Sequence, residues 1–242
     1  MNQLPQTRIF VHFAAASLFA LLGTGGAMGQ QLDPASVIQR VDAAVKARVD
    51  SIAGYTATEH YAVYRNNDET NPVAEMTVKT TYRVDSGKSY TILSQSGSAL
   101  IRSVVLGSIL NNEKSLNQPG IREETWITSA NYQMQLEPGG TQPMNGRDCL
   151  VLTLTPRRKT PYLLQGKLWV DARDGSIVQV EGTASKSSSF LTGATQILRQ
   201  YTNVSGYPEA TRARAVSNSF MFGQTVVAID YQNYQVQLRP PA

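Results

Sequence analysis

The sequence predicts a mainly β protein of the α+β class: a single curved antiparallel sheet with two helices covering one face. Three observations carry this expectation. Ala74 to Val84 alternates apolar and polar residues, as a strand with one wet face must. Hairpin signals recur at Asn145-Gly146 and Asp174-Gly175. Two amphipathic segments, 34–52 and 99–110, interrupt the strands, and no low-complexity linker divides the chain.

The first residues read as a targeting segment. Arg8 is the only charged side chain before Gln30, Ile9 to Leu22 is mostly apolar, and Gly23 to Gly29 is rich in small residues. These are the three parts of a cleavable secretory signal, with cleavage before Gln30. The apolar run is shorter than the ~20 residues a membrane span needs. The expected organisation is therefore a signal peptide at 1–29, then one domain over 30–242, exported across the inner membrane to the periplasm and not an integral membrane protein.

Asp33-Pro34 opens the first helix, with Asp as N-cap and Pro at the first helical position. Val37, Ile38, Val41, Val45, Val49 and Ile52 follow at helical spacing, and Gly54 is expected to end it. Tyr55 to Arg65, rich in Thr, Tyr and Val, reads as a strand. It forms a meander with the alternating strand after it and with a returning strand, Lys88 to Gln95, beyond Ser86-Gly87. Leu100, Ile101, Val104, Val105, Ile109 and Leu110 fit a short helix with a wide apolar face, stopped by Asn111-Asn112; it is a core helix or a lid. Strands then resume at 131–137, 149–155, 167–171, 176–181, 197–204, 211–222 and 225–236.

Composition excludes several function classes. The chain has 242 residues, 41% hydrophobic and 17% charged, so a folded core is expected. A net charge of +4 is too mild to argue for nucleic acid. Once the signal leaves with His12, one histidine and one cysteine remain, too few for an ordinary zinc site. Cys149 lies in an apolar strand and is expected to be buried. His60 is expected at a rim. No P-loop, dinucleotide fingerprint or nucleophile elbow is present, and the spacing around Asp171 and Asp174 fits a turn better than a calcium loop. Glu59, Glu75, Glu123, Glu124, Asp148 and Asp171 could supply a hydrolytic carboxylate pair only if folding brought two together. Arg157-Arg158-Lys159 reads as a solubilising loop tip. No catalytic residue, metal or cofactor is expected.

The second half carries a family pattern: Asn145-Gly146-Arg147-Asp148-Cys149, Leu152-Thr153-Leu154-Thr155-Pro156, Gly166-Lys167-Leu168-Trp169-Val170-Asp171 and Ile177-Val178-Gln179-Val180-Glu181-Gly182. Ser189-Phe190, Tyr201, Gly206-Tyr207 and Ile229-Asp230-Tyr231-Gln232-Asn233-Tyr234 continue it. This resembles the outer-membrane lipoprotein-sorting family, the LolA/LolB-like superfamily that includes RseB-type sensors. The resemblance implies an open half-barrel whose helices lie on the concave face around an apolar cavity for a lipid or lipoprotein acyl chains. Val78, Tyr82, Leu152, Leu154, Leu168, Val170 and Phe222 are the candidate lining. Two other readings stay open: a non-catalytic sensor or scaffold for an envelope protein partner, and a carboxylate hydrolase. Protein recovered from the envelope should begin at or within a few residues of Gln30 by mass spectrometry; intact Met1 in the cytoplasm would refute the export signal.

Overall fold

The computed structural model describes residues 33–186, 195–219 and 223–240. Its first element is α1 (Pro34–Ser51). Asp33 caps it as the sequence predicts, its carboxylate accepting from the Ala35 and Ser36 amides at 3.2 and 3.0 Å. The chain then passes directly into β1 (Ile52–Arg65), so Gly54 lies inside the strand and does not end the helix. Glycine is needed there for proximity: a Cβ would sit 2.6 Å from the Tyr82 carbonyl oxygen.

β2 (Ala74–Arg83) and β3 (Gly87–Gly97) complete the expected meander. A continuous helical stretch follows: α2 (Ala99–Ile101), a π-helical turn (Arg102–Leu106) and α3 (Gly107–Leu116). A short 3₁₀ helix (Arg122–Thr125) leads to β4 (Tyr132–Leu136), β5 (Gln142–Met144) and β6 (Arg147–Pro156). β7 (Leu164–Asp171), β8 (Ile177–Ala184), β9 (Thr195–Val204), β10 (Tyr207–Ser219) and β11 (Gly223–Leu238) finish the chain. All pair antiparallel in one open, curved 11-stranded sheet, a half-barrel of order β3-β2-β1-β11-β10-β9-β8-β7-β6-β4, with β5 beside β6.

The helical stretch departs from its sequence pattern in two ways. It overruns Asn111-Asn112 to Leu116, because Glu113 is anchored in the interior by other strands and outweighs the weak propensity of the asparagines. The π turn also inserts one residue, so Ile101, Leu106 and Leu110 face the core, while Leu100 and Val104 are 65% and 51% exposed.

The register places both helical covers on the same face. One row of directly paired residues runs Leu152, Leu168, Val180, Arg199, Ala213, Ile229, Tyr61 and Met76 from β6 to β2. Beneath α1, Val37 and Val41 pack with Leu150, Leu152, Leu154, Leu168, Val170 and Val180. Beneath α2 and α3, Ile101, Leu106 and Leu110 pack with Tyr61, Val63, Met76, Val78 and Ile229. A third cluster gathers Ile52, Tyr55 and Ala57 with Tyr82 and Tyr234.

The neighbouring row contains a glycine pair, Gly166 opposite Gly182. A Cβ on Gly166 would lie 2.1 Å from the Glu181 carbonyl oxygen, and one on Gly182 2.5 Å from that of Gln165. Bare backbone lets these strands press together, the device by which a sheet takes strong curvature. Gly166→Ala is expected to cost about 2 kcal/mol or more in urea unfolding, as overpacking against backbone does. Gly107→Ala is the contrasting case: its Cβ would meet only the Arg102 carbonyl oxygen at 3.6 Å, so about 0.5–1 kcal/mol of stabilisation is expected.

Candidate functional site

α1 is held over the concave face by Val37 and Val41 in the core and by three polar anchors along its length. Arg40 Nη1 donates to the Ala172 carbonyl at 2.7 Å, on the β7–β8 turn. Arg48 forms a paired contact with the buried Glu209, at 3.1 and 2.8 Å, and donates to the Pro208 carbonyl. Asp42 accepts from the Ser129 amide at 2.8 Å and from its hydroxyl at 2.5 Å. Beyond Val41 the apolar stripe of the helix is only half buried.

That half-buried stripe forms one wall of an open groove of about 470 Å³. Val45 and Val49 line it from α1, and Trp126, Thr128 and Ala130 from the segment joining α3 to β4. Asp42, Lys46 and Asp50 rim it, and Lys46 and Asp50 pair with each other. The second wall is tied down from below. Asn131 donates to the carbonyls of Glu123 and Trp126 at 2.8 and 2.9 Å. Arg158 donates to Asn131 Oδ1 at 2.9 Å, and Arg157 to the Ser129 carbonyl at 2.9 Å. The basic loop is thus a brace for the groove wall and not merely a solubilising tip.

The covers over β1–β3 are anchored differently. Glu113 of α3 accepts from Lys88 Nζ at 2.6 Å and the Tyr90 hydroxyl at 3.2 Å, both on β3, and from Arg199 Nη2 of β9 at 3.3 Å. Burial alone would raise the Glu113 carboxyl; Lys88 and Arg199 overrule it and hold it at about 2. Burial would likewise lower the Lys88 amine, but Glu113 raises it well above its ordinary value. Nearby, Glu59 is 1% exposed and accepts from the Tyr61 hydroxyl, and it stands opposite Tyr231. Thr80 Oγ1 and Arg199 Nε, both buried, are without a hydrogen-bond partner among the described residues. The middle of the concave face is therefore polar, between apolar clusters.

The expected lining residues fall into separate places. Leu152, Leu154, Leu168 and Val170 come together under α1, Val78 lies under α2 and α3, and all five are fully buried. Tyr82 stacks on Tyr55 in the third cluster, ring centroids 5.1 Å apart, and its hydroxyl accepts from Arg122 at 3.1 Å. Phe222 lies outside the described residues.

The other candidates resolve individually. Cys149 is buried, and burial pushes its thiol up. His60 sits at a rim, half exposed, 3.1 Å from Thr77 Oγ1 and 3.4 Å from Glu75. Asp171 is bound by Arg173 in a tight turn at 2.9 and 3.1 Å. No group of three His, Cys, Asp or Glu able to hold a metal occurs among the described residues, and no described helix is long and apolar enough to cross a membrane.

Sequence reasoning missed Val45, Val49 and Trp126 as one surface, and the Lys88–Glu113–Arg199 cluster altogether. Val45 and Val49 were visible only as a continuation of the apolar stripe of α1. Nothing local marks the cluster, whose members are separated by 25 and 86 residues.

No family model and no curated protein matches the chain. Among solved structures, it is similar to a LolA superfamily protein from Nitrosomonas europaea, at 13% identity over 86% of this chain and 96% of that one, TM-score 0.44. It is similar to a DUF1329 family protein from Desulfovibrio piger, at 15% identity over 87% and 96%, TM-score 0.47. It is also similar to a domain from Vibrio parahaemolyticus assigned to outer membrane lipoprotein sorting, at 14% identity over 84% and 92%, TM-score 0.47.

Glu113→Gln should cost about 3 kcal/mol at neutral pH, since removing one member of a buried ion cluster strands the others. A carboxyl depressed in the folded state contributes stability above its ordinary value near 4.5 and loses it as pH falls towards about 2. The gap between the parent chain and the variant should therefore be widest near neutrality and narrow over that acid window, as urea titrations at several pH values would measure.

Proposed function

We propose that this chain is a periplasmic binding or carrier protein for an apolar moiety, a lipid or the acyl chains of a lipoprotein, and not an enzyme. The observation that carries the reading is the open groove between α1 and the 126–130 segment, apolar in its walls and bordering a helix that covers one apolar cluster of the concave face. The sequence resemblance in 145–182 points the same way. An acyl chain would first lie along Val45, Val49 and Trp126. Deeper binding would displace α1 and reach Leu152, Leu154, Leu168 and Val170. Val78, Tyr82 and Phe222 would belong to the far part of the same bed.

The energetics suit such a ligand. Each buried methylene contributes about 0.8 kcal/mol, so a chain needs no charged contact to bind. Two carboxylates available to a hydrolase are already engaged, Glu59 by Tyr61 and Asp171 by Arg173, which favours binding over turnover.

Native mass spectrometry of envelope-purified protein should find co-purifying lipid, and titration with a fluorescent fatty acid should saturate. Val45→Trp fills the groove at a half-exposed position. It should weaken fatty-acid binding about tenfold, equivalent to losing roughly two methylenes of contact, while leaving unfolding nearly unchanged. A parent chain that carries no lipid and takes up none would refute the carrier reading.

A further inference from the structure

The groove between α1 and the 126–130 segment has two unlike ends. Asp42 and Asp50 both line it, eight residues apart on α1, so it runs about 12 Å along the helix axis. At the outer end Lys46 and Asp50, both exposed, pair with each other in solvent. At the inner end the two walls meet. The Asp42 carboxylate accepts from the Ser129 amide at 2.8 Å and from the Ser129 hydroxyl at 2.5 Å, one oxygen for each donor. Asp42 and Ser129 are both half-buried.

What lies past that contact differs from what lies before it. Val41 precedes Asp42 on α1, and Tyr132 lies just beyond Ser129 on the other wall. Both are buried, and both belong to the apolar cluster under α1. Val45 and Val49, on the groove side, are only half-buried. The Asp42–Ser129 contact thus stands between the open groove and the closed apolar bed. It resists displacement, because breaking it leaves a half-buried carboxylate without its two donors. The wall behind it is also fixed, since Arg157 donates to the Ser129 carbonyl at 2.9 Å.

We propose, on the acyl reading of this groove, that the Asp42–Ser129 contact is a stop that restricts it to a single medium-length acyl chain. Three backbone bonds of an extended chain span about 3.3–3.6 Å, or roughly 1.2 Å per bond, so about 12 Å holds about ten carbons. The groove volume of about 470 Å³ falls low in the range of about 300–1,000 Å³ typical of small-molecule sites. That suits one such chain and not the several chains of a whole lipid. A longer chain must leave its excess at the wet Lys46–Asp50 end, where little apolar surface is buried, or break the stop. Asp42 and Ser129 therefore select chain length without contacting a headgroup.

The test is competition of octanoate, decanoate, dodecanoate and hexadecanoate against a fluorescent fatty acid, each below its micelle concentration. On the parent chain, affinity should rise about fourfold per added carbon up to decanoate and level off beyond it. Asp42→Ala removes the stop, and hexadecanoate should then bind about tenfold or more tighter than decanoate. Ser129→Ala keeps the amide donor and disturbs the fold least; it should move the limit the same way by a smaller amount. Asp42→Asn keeps the size and both hydrogen bonds and should restore the parent limit. A parent affinity that climbs unbroken to hexadecanoate overturns the proposal and leaves the carrier reading standing. So does a limit that stays at decanoate in both alanine variants while their circular dichroism matches the parent. A parent chain that binds none of the four acids defeats the carrier reading and the stop together.

Discussion

The fold depends on Glu113. An open sheet has no partner strand to close its curvature, so the covering helix must join distant strands across the concave side. Glu113 does this with one carboxylate, binding β3 through Lys88 and Tyr90 and β9 through Arg199. Largely burying Glu113 and Lys88, with Arg199 about a third exposed, has a desolvation cost that well-packed apolar residues would avoid, and such clusters are weak evidence for net stability. Their effect here is positional. An apolar helix face can slide over an apolar sheet, whereas a carboxylate shared by two cations cannot slide without stranding them. The extension of the helix past Asn111-Asn112 and the burial of Leu106 and Leu110 both accord with that fixed point.

Much of the architecture was legible because it is written locally. Asp33-Pro34 marks a capped helix start, the alternation from Ala74 marks a strand with one wet face, and Asp174-Gly175 marks a hairpin turn; each needs only near neighbours in sequence. The helix over 99–116 was half legible. Its apolar residues announce a covering helix, but the π turn that selects Ile101, Leu106 and Leu110 over Leu100 and Val104 is a tertiary choice. The end of α1 was misread at Gly54 because that glycine serves a close approach to Tyr82 in the sheet, a contact that only the paired strands create.

The candidate site was least legible, for a related reason. A strand pattern identifies which residues face one side, and Leu152, Leu154, Leu168, Val170 and Val78 do share the covered face. It does not say which helix covers each, so residues expected to line one cavity belong to separate clusters. Nor does it reveal Arg199 among apolar neighbours in the middle of the face, because an arginine in an alternating strand reads as solvent-facing until its partners on α3 and β3 are known.

The two covers differ in how they are held, and that difference bears on how a ligand would enter. The helical stretch from α2 through the π turn to α3 buries three large side chains and contributes a largely buried carboxylate with three partners. α1 fully buries only Val37 and Val41, worth roughly 1.5–3 kcal/mol each at most. Of its remaining anchors, Arg40 and Asp42 make part-buried hydrogen bonds that water can partly replace on opening, whereas Arg48 pairs with the buried Glu209, whose carboxylate would lose its partner. Elements with few buried apolar contacts occupy the low end of local stability. By apolar burial α1 is the lighter cover, the Arg48–Glu209 pair is its firmest polar anchor, and its C-terminal half already stands beside the groove. In the proposed reading, entry falls to α1, the Glu113 cluster keeps the other half of the concave face closed, and the braced wall at Trp126 stays in place as α1 moves.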